Sequence, residues 1–438
     1  MPHRIALAWI AACGIWQLFV PPVSGIANNG DYSKVTGYYK LAPTVGWGPG
    51  EYTYFLTGYR FDPANEWRSG ISTSAHLFVW PAVKLSRLLY SKRFFHIHAL
   101  TLLHFSVYLV LCWAMLRRLP IAAMFLAAFV LSDSAYLSYL PSFYMDTTAL
   151  LALLGAAAAL LLSPDRLAAP LAFTAAALIL IASKAQHAPL GLALAGIAAA
   201  AAFRFERRWL WAASAALVAL ASIAMLNATT PSYRAAPLFS VIFWKLQPDA
   251  TDLQELGLSA EDLKYRGMHC YSPGSPTEDA NWRDAFLART GFAKLAGFYL
   301  RHPVRTLGCV WRDLVDSAWR HPDPVLGTRR QEDGFAPGTR SGGLAIWSGF
   351  RSTVLHAFPA LLVFVLIASL MVGEIRPAAA IACVALGVAT LLDTLETARH
   401  LFLFHVACDA LFVYWLSRLA VTLSHAAGSR SLSRYTPA

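Results

Sequence analysis

Charge is scarce in this chain. Asp, Glu, Lys and Arg together make up 14% of its 438 residues, against 57% hydrophobic residues and a mean hydropathy of +0.48. Soluble domains carry roughly a quarter charged residues, so an aqueous globular fold is excluded and a polytopic membrane protein is implied. Metal-binding spacings are lacking too, since the six cysteines form no CxxC and the histidines no HExxH. Cys13, Cys112, Cys383 and Cys408 fall in apolar runs and read as inert core residues. Cys270 and Cys309 lie in a long polar stretch where an oxidising compartment permits a disulfide. No internal repeat is visible. The net charge of +11 would suggest nucleic acid in a soluble protein. Here most of the basic excess sits in short loops between apolar runs, where it orients helices, and nucleic acid is not an expected partner.

What is abundant is apolar sequence long enough to cross about 30 Å of hydrocarbon. The runs 5–23, 96–116, 119–139, 144–162, 167–183, 187–203, 209–227, 352–373, 376–393 and 399–420 predict an all-α polytopic membrane protein with about ten transmembrane helices. With the N-terminus inside, the inner loops carry Arg4, Arg117-Arg118, Arg166, Arg204, Arg207-Arg208 and Arg376, which obeys the positive-inside rule. The first run also resembles a signal peptide, but Pro21-Pro22 makes a poor cleavage site and retention as an anchor is expected. Segment 75–91, interrupted by Pro81, Lys84 and Arg87, reads as an amphipathic interfacial helix, which leaves Lys84, Arg87, Lys92 and Arg93 on the outer side; as a span it would invert the rest of the topology. The organisation expected is an N-terminal bundle over 1–227 with a first outer loop at 24–95, a mainly helical outer loop domain at 228–350, and C-terminal helices with a cytoplasmic tail over 351–438. Within the second outer region, 323–343 reads as a mobile loop.

Ionisable residues cluster at helix ends on the side opposite these basic loops. Asp31 follows the first helix in Asn28-Asn29-Gly30-Asp31-Tyr32-Ser33-Lys34. A carboxylate there can take a proton from a hydroxyl or hold a divalent cation, and its bland alternative is an Asx-turn residue. Asp146 opens the fourth run and should face the bundle. Lys184-Ala185-Gln186-His187 offers a point charge with hydrogen-bond donors for a phosphate, with snorkelling as its alternative. Glu396, Arg399 and His400 share one helix face and suit a phosphate or pyrophosphate, or a plain ion pair. Intramembrane charges are functional candidates by default.

These motifs, Gly30-Asp31-Tyr32, the amphipathic segment, Ser142-Phe143-Tyr144-Met145-Asp146, Lys184-Ala185-Gln186-His187 and Glu396-Thr-Ala-Arg399-His400, together resemble the GT-C superfamily of multispanning glycosyltransferases. The resemblance implies a sugar donor linked to polyprenyl phosphate, a hydroxyl acceptor on a glycan, lipid or protein, and an active site at the outer face of a bacterial inner membrane. It implies Asp31 as general base or metal ligand, with Tyr32 and Lys34 beside it as substrate contacts. Asp146, Lys184, Gln186, His187, Glu396, Arg399 and His400 would complete the substrate site. No second acid directly follows Asp31, as it does in the protein O-mannosyltransferase branch. Glu51, Asp62 or Glu66 is left to serve, and divalent-cation dependence stays open. A flippase for lipid-linked sugars would place polar groups near the membrane midplane on broken helices, and an O-antigen-type polymerase or ligase would use similar outer-face basic residues.

Overall fold

The computed structural model describes residues 1–46, 49–63, 71–162, 166–320, 326–341 and 343–432. The bundle contains α1 (Pro2–Phe19), α3 (Ile97–Leu116), α4 (Ile121–Leu131), α5 (Met145–Leu161), α6 (Ala168–Ser183), α7 (Ala188–Arg204) and α8 (Arg208–Asn227), with α2 (His76–Leu89) preceding α3. The second polar region contributes α9 (Pro231–Phe239), α10 (Ala280–Arg289), α11 (Phe292–Arg301) and α12 (Pro303–Ser317), followed by α13 (Ile346–Ala357), α14 (Ala360–Met371), α15 (Arg376–Leu391) and α16 (Phe402–Leu432). The apolar runs found these helices because Ala- and Leu-rich sequence has both helix propensity and lipid compatibility.

Among the described residues, four helical stretches are long and apolar enough to cross a membrane: Ile97–Leu116, Ala185–Arg204, Arg208–Asn227 and Phe402–Ser424. A fifth is available if α13 and α14, bent by 103° about Phe358-Pro359, count as one span. The count of about ten is thus not confirmed. Polar residues shorten the other runs, with Ser132-Asp133 closing α4, Asp146 sitting in the first turn of α5 and Lys184 ending α6.

The first polar region is not all helix. Strands β1 (Leu41–Pro43), β2 (Gly58–Phe61) and β3 (Phe94–His96) form an antiparallel sheet in the order β1-β2-β3, with Ala42 opposite Arg60 and Tyr59 opposite Phe95. Buried Tyr59 and Phe95 both pack on Phe143, at centroid distances of 5.1 and 5.5 Å. The sheet therefore seats the turn from which α5 departs. As expected of an amphipathic helix, α2 buries Val79, Ala82 and Val83 and exposes Leu77, Trp80 and Leu88.

A second core is separate from the bundle core. Phe239, Phe243, Phe286, Leu295 and Phe298 fill it, and Leu391 and Leu392 at the end of α15 pack against it. Cys309 is buried in this core and Cys270 lies at its edge, both as free thiols, so the permitted disulfide is not formed. The described part of the expected mobile loop is tied down. Gly25 and Ala27 amides donate to the carbonyls of Thr328 and Gly327 at 3.1 and 2.9 Å, and the Phe55 amide donates to Arg329 at 3.0 Å. Residues 323–325 and 342 of that loop lie outside the described residues.

Candidate functional site

Asn28 and Asn29 fold the loop that carries Asp31. The Asn28 side-chain oxygen accepts from the amides of Gly30 and Tyr32 at 2.8 and 3.2 Å, and Asn29 accepts from the Asp31 amide at 3.1 Å. Gly30 supplies the positive φ of 101° that the turn needs. The Asx role considered for Asp31 thus belongs to the two asparagines, which frees the Asp31 carboxylate for other partners.

Those partners are cations. Asp31 Oδ2 lies 2.8 Å from Arg399 Nη2, and Oδ1 lies 2.5 Å from Lys34 Nζ. Arg399 is 2% exposed and is the hub of the cluster. Its Nη2 and Nε donate to Glu396 Oε2 at 2.8 and 3.1 Å, its Nη1 lies 3.5 Å from Asp146 Oδ2, and its guanidinium sits 5.2 Å above the Tyr144 ring. Glu396 reaches this position with a left-handed φ of 57°, a strained conformation for a residue bearing a Cβ. Tyr144 in turn donates to the Ala27 carbonyl and accepts from the Asn29 amide. One tyrosine thereby joins the Asp31 loop to the helix turn beneath Arg399.

The remaining predicted residues converge on the same end of the bundle. Asp146 Oδ1 lies 3.5 Å from His187 Nε2, whose other ring nitrogen meets Ser183 Oγ at 2.8 Å. His400 Nδ1 lies 2.8 Å from Asp393 Oδ2, and its Nε2 lies 2.9 Å from Arg399 Nη2. Lys184 is 4% exposed yet makes no hydrogen bond or ion pair among the described residues, although it stands within electrostatic range of Asp146, Asp31 and Arg399. Gln186 is half-buried beside it, with no side-chain hydrogen bond among the described residues.

Other candidates stand apart. Tyr32 is buried with its hydroxyl on the Ile26 carbonyl and packs edge-on against Tyr144, which makes it a support of the loop. Glu51 is buried and accepts from Asn28 Nδ2 at 3.1 Å, so it braces the same loop. Asp62 pairs with Arg60 at the end of β2, and Glu66 lies outside the described residues. Asp133, at the end of α4, accepts from the amides of Ala135 and Ser348 and from Ser348 Oγ, and serves as a helix cap.

Sequence reasoning missed two contributors. Tyr233 on α9 lies 5.8 Å from Lys34 Nζ across its ring, and no spacing signal marks it. The second is Asp393, whose pairing with His400 no local spacing marks.

Burial pushes the Asp31 carboxyl upward, but the charges of Arg399, Lys34 and Lys184 outweigh it and hold Asp31 well below the usual carboxylate range. Glu396 is lowered in the same way, with Arg399 the main opposing charge. Burial, followed by the field of Asp31 and Asp393, raises the Tyr233 hydroxyl. No group of three or more His, Cys, Asp or Glu among the described residues is arranged to hold a metal ion. Chemically, the cluster offers a carboxylate with both oxygens engaged, a guanidinium shared by three acids, and a buried ammonium with no direct ion pair among the described residues.

The sequence matches the family described as the YfdI N-terminal transmembrane domain over residues 1–431. No curated protein and no solved structure matches it.

Proposed function

Since the chain belongs to the YfdI N-terminal transmembrane domain family, and its ionisable side chains converge at one end of a helix bundle, we propose that it is a GT-C-type membrane glycosyltransferase. It moves a sugar from a polyprenyl-phosphate carrier to a hydroxyl acceptor at the outer face of a bacterial inner membrane. The observation that carries this reading is Lys184. A buried ammonium with no direct ion pair is costly, and an arriving lipid phosphate supplies at contact distance the negative charge that Asp146 and Asp31 supply only from further off.

In this mechanism the donor phosphate also competes for Arg399 and Lys34, which releases Asp31. The acceptor oxygen then attacks the anomeric carbon while Asp31 takes the hydroxyl proton. The bond from that carbon to the phosphate oxygen breaks, and its electron pair leaves with the polyprenyl phosphate, stabilised by Lys184 and Arg399. A single displacement inverts the anomeric centre.

Chain direction supports about ten passes through the bundle, in keeping with the apolar runs. The ends of α1, α6 and α15 lead into the site, and α5, α7 and α16 depart from it. The far end of α14 returns to the opposite side, where Gly373 lies against the Arg204 side chain. The basic loops at that opposite side support an outer location for the site.

One observation favours movement of the lipid-linked sugar instead. Arg351 on the broken α13–α14 pair meets Asp409 of α16 at 2.9 Å, with both side chains 1% exposed, which is a buried charge on a discontinuous helix. Proteoliposomes charged with radiolabelled polyprenyl-phosphate sugar separate the two readings. Transfer of label to a hydroxyl acceptor with release of polyprenyl phosphate is expected. Movement of intact donor between leaflets without cleavage would refute the enzyme.

A further inference from the structure

Beside the cluster lies a second space, a cavity of about 600 Å³ between α12, the segment Ser240–Leu246 and the turn after α15. Its size falls within the usual range of ligand pockets, roughly 300–1,000 Å³. Its walls are cationic, with Lys245, Arg266, Arg305 and Arg312 facing one carboxylate, Asp313. Two of these cations are already engaged. Lys245 Nζ bonds Asp313 and the Thr390 carbonyl, and Arg305 donates to Asp252 and the Leu246 carbonyl, each at 2.7 Å. Arg266 and Arg312 are exposed and make no hydrogen bond or ion pair among the described residues. The cavity therefore holds two guanidinium groups with no direct ion pair among the described residues.

The backbone here is also unusual. Ser240–Leu246 is a π-helix, a form that recurs at functional sites. It ends on Gln247 in a left-handed conformation with φ of 45°, and Gln247 lines the cavity. Trp244 from the same π-helix stands 44% exposed at the wall and offers a flat apolar face of the kind that sugar rings cover. Little of the wall is apolar, which does not suit a prenyl chain.

Thr394 forms part of this wall, and two residues later Glu396 holds Arg399. At 3.8 Å between successive Cα atoms, the two residues are within about 8 Å of each other. A saccharide seated in the cavity can therefore extend a neighbouring residue to Asp31. We propose that the cavity is the acceptor subsite and binds a saccharide bearing a phosphate or carboxylate group, fixed by Arg266 and Arg312. The inference rests on the reading of the Asp31–Arg399 cluster as the transfer site. Guanidinium forks match both oxyanions.

The test uses the full chain in nanodiscs of zwitterionic lipid and three fluorescent probes of equal length: an oligogalacturonate, a phosphorylated dextran oligomer and a neutral dextran oligomer. At least one anionic probe is expected to bind with an affinity that falls as salt rises, and the neutral probe is not. Whichever anionic probe binds names the charged group. In the Arg266→Gln/Arg312→Gln protein that affinity should fall at least tenfold with the unfolding temperature unchanged, since both side chains are exposed. Equal binding of the neutral probe, or anionic binding indifferent to the double exchange, would overturn the proposal. So would full displacement of the probes by vesicles of anionic phospholipid, which would assign the cavity to a lipid headgroup. Asp31→Asn should bind the probes like the parent, so a failure of transfer and a failure of this subsite are read separately.

Discussion

Exchanging Asp31 for Asn separates the two things this carboxylate does. Its oxygens lie 2.5 and 2.8 Å from Lys34 and Arg399, so an incoming phosphate must compete with it for both cations. Opposite unit charges 4 Å apart attract by about 4 kcal/mol at an effective dielectric constant of 20. Glu396 and Asp146 still hold Arg399 after the exchange, so only part of that attraction is released. A gain of about 1.4 kcal/mol, or roughly tenfold tighter binding of a prenyl-phosphate analogue, is expected. Turnover should move the other way, by about 10²–10⁴-fold, since Asn cannot accept the proton. Calorimetric titration with the analogue and a radiolabel transfer assay on the same preparation read both quantities. If turnover matches the parent, Asp31 is not the base. If analogue binding weakens along with turnover, the carboxylate is holding the loop and the competition argument fails.

Four further outcomes follow from the same geometry. Arg399→Lys keeps the charge but cannot serve Asp31, Glu396 and Asp146 together, so transfer should fall by about 2 kcal/mol or more in transition-state terms, measured as kcat/KM for the donor. Asp31 is held low in the free protein, so it adds stability above about pH 4 that is lost as the pH falls through its lowered value, and the gap in melting temperature between parent and Asp31→Asn should shrink below about pH 4. A Cβ on Gly327 would meet the Thr53 carbonyl oxygen at 1.8 Å, so Gly327→Ala should cost about 1–3 kcal/mol and raise proteolytic cleavage within 326–341. Asp409→Ala should cost about 3–5 kcal/mol by stranding buried Arg351, whereas Arg351→Met/Asp409→Leu should regain most of that stability, checked by thermal unfolding in detergent. Survival of transfer in that double variant would mark the pair as structural.

Helix positions were legible because apolar runs are long and uninterrupted. Runs 209–227 and 376–393, for example, met α8 and α15 within two residues at each end. Residues at the ends of those runs, Asp31, Asp146, Lys184 and Arg399, were legible as candidates because charges there are expensive and few. The sheet was not legible, since its strands have only three or four residues and their pairing is set by Phe143 beneath Tyr59 and Phe95. Local sequence also could not divide labour within Asn28-Asn29-Gly30-Asp31, because all three polar residues can close an Asx turn. Tyr233 and the Arg351–Asp409 pair reach their places through long-range packing, and no periodicity announces such contacts.

Lys245 binds the two cores into one thermodynamic unit. Its ammonium leaves the π-helix to reach the carbonyl of Thr390 and lies 3.3 Å from that of Asp393, so a side chain of one core caps the final helical turn of the other. Asp393 is also the residue against which His400 rests. Any ligand that draws Lys245 away uncaps α15 and disturbs the seat of His400, while any ligand that steadies Asp393 makes Lys245 harder to move. Such coupling is reciprocal in free energy. Occupancy on one side of the 393–396 segment is therefore felt as a change of affinity on the other, by the same factor in both directions.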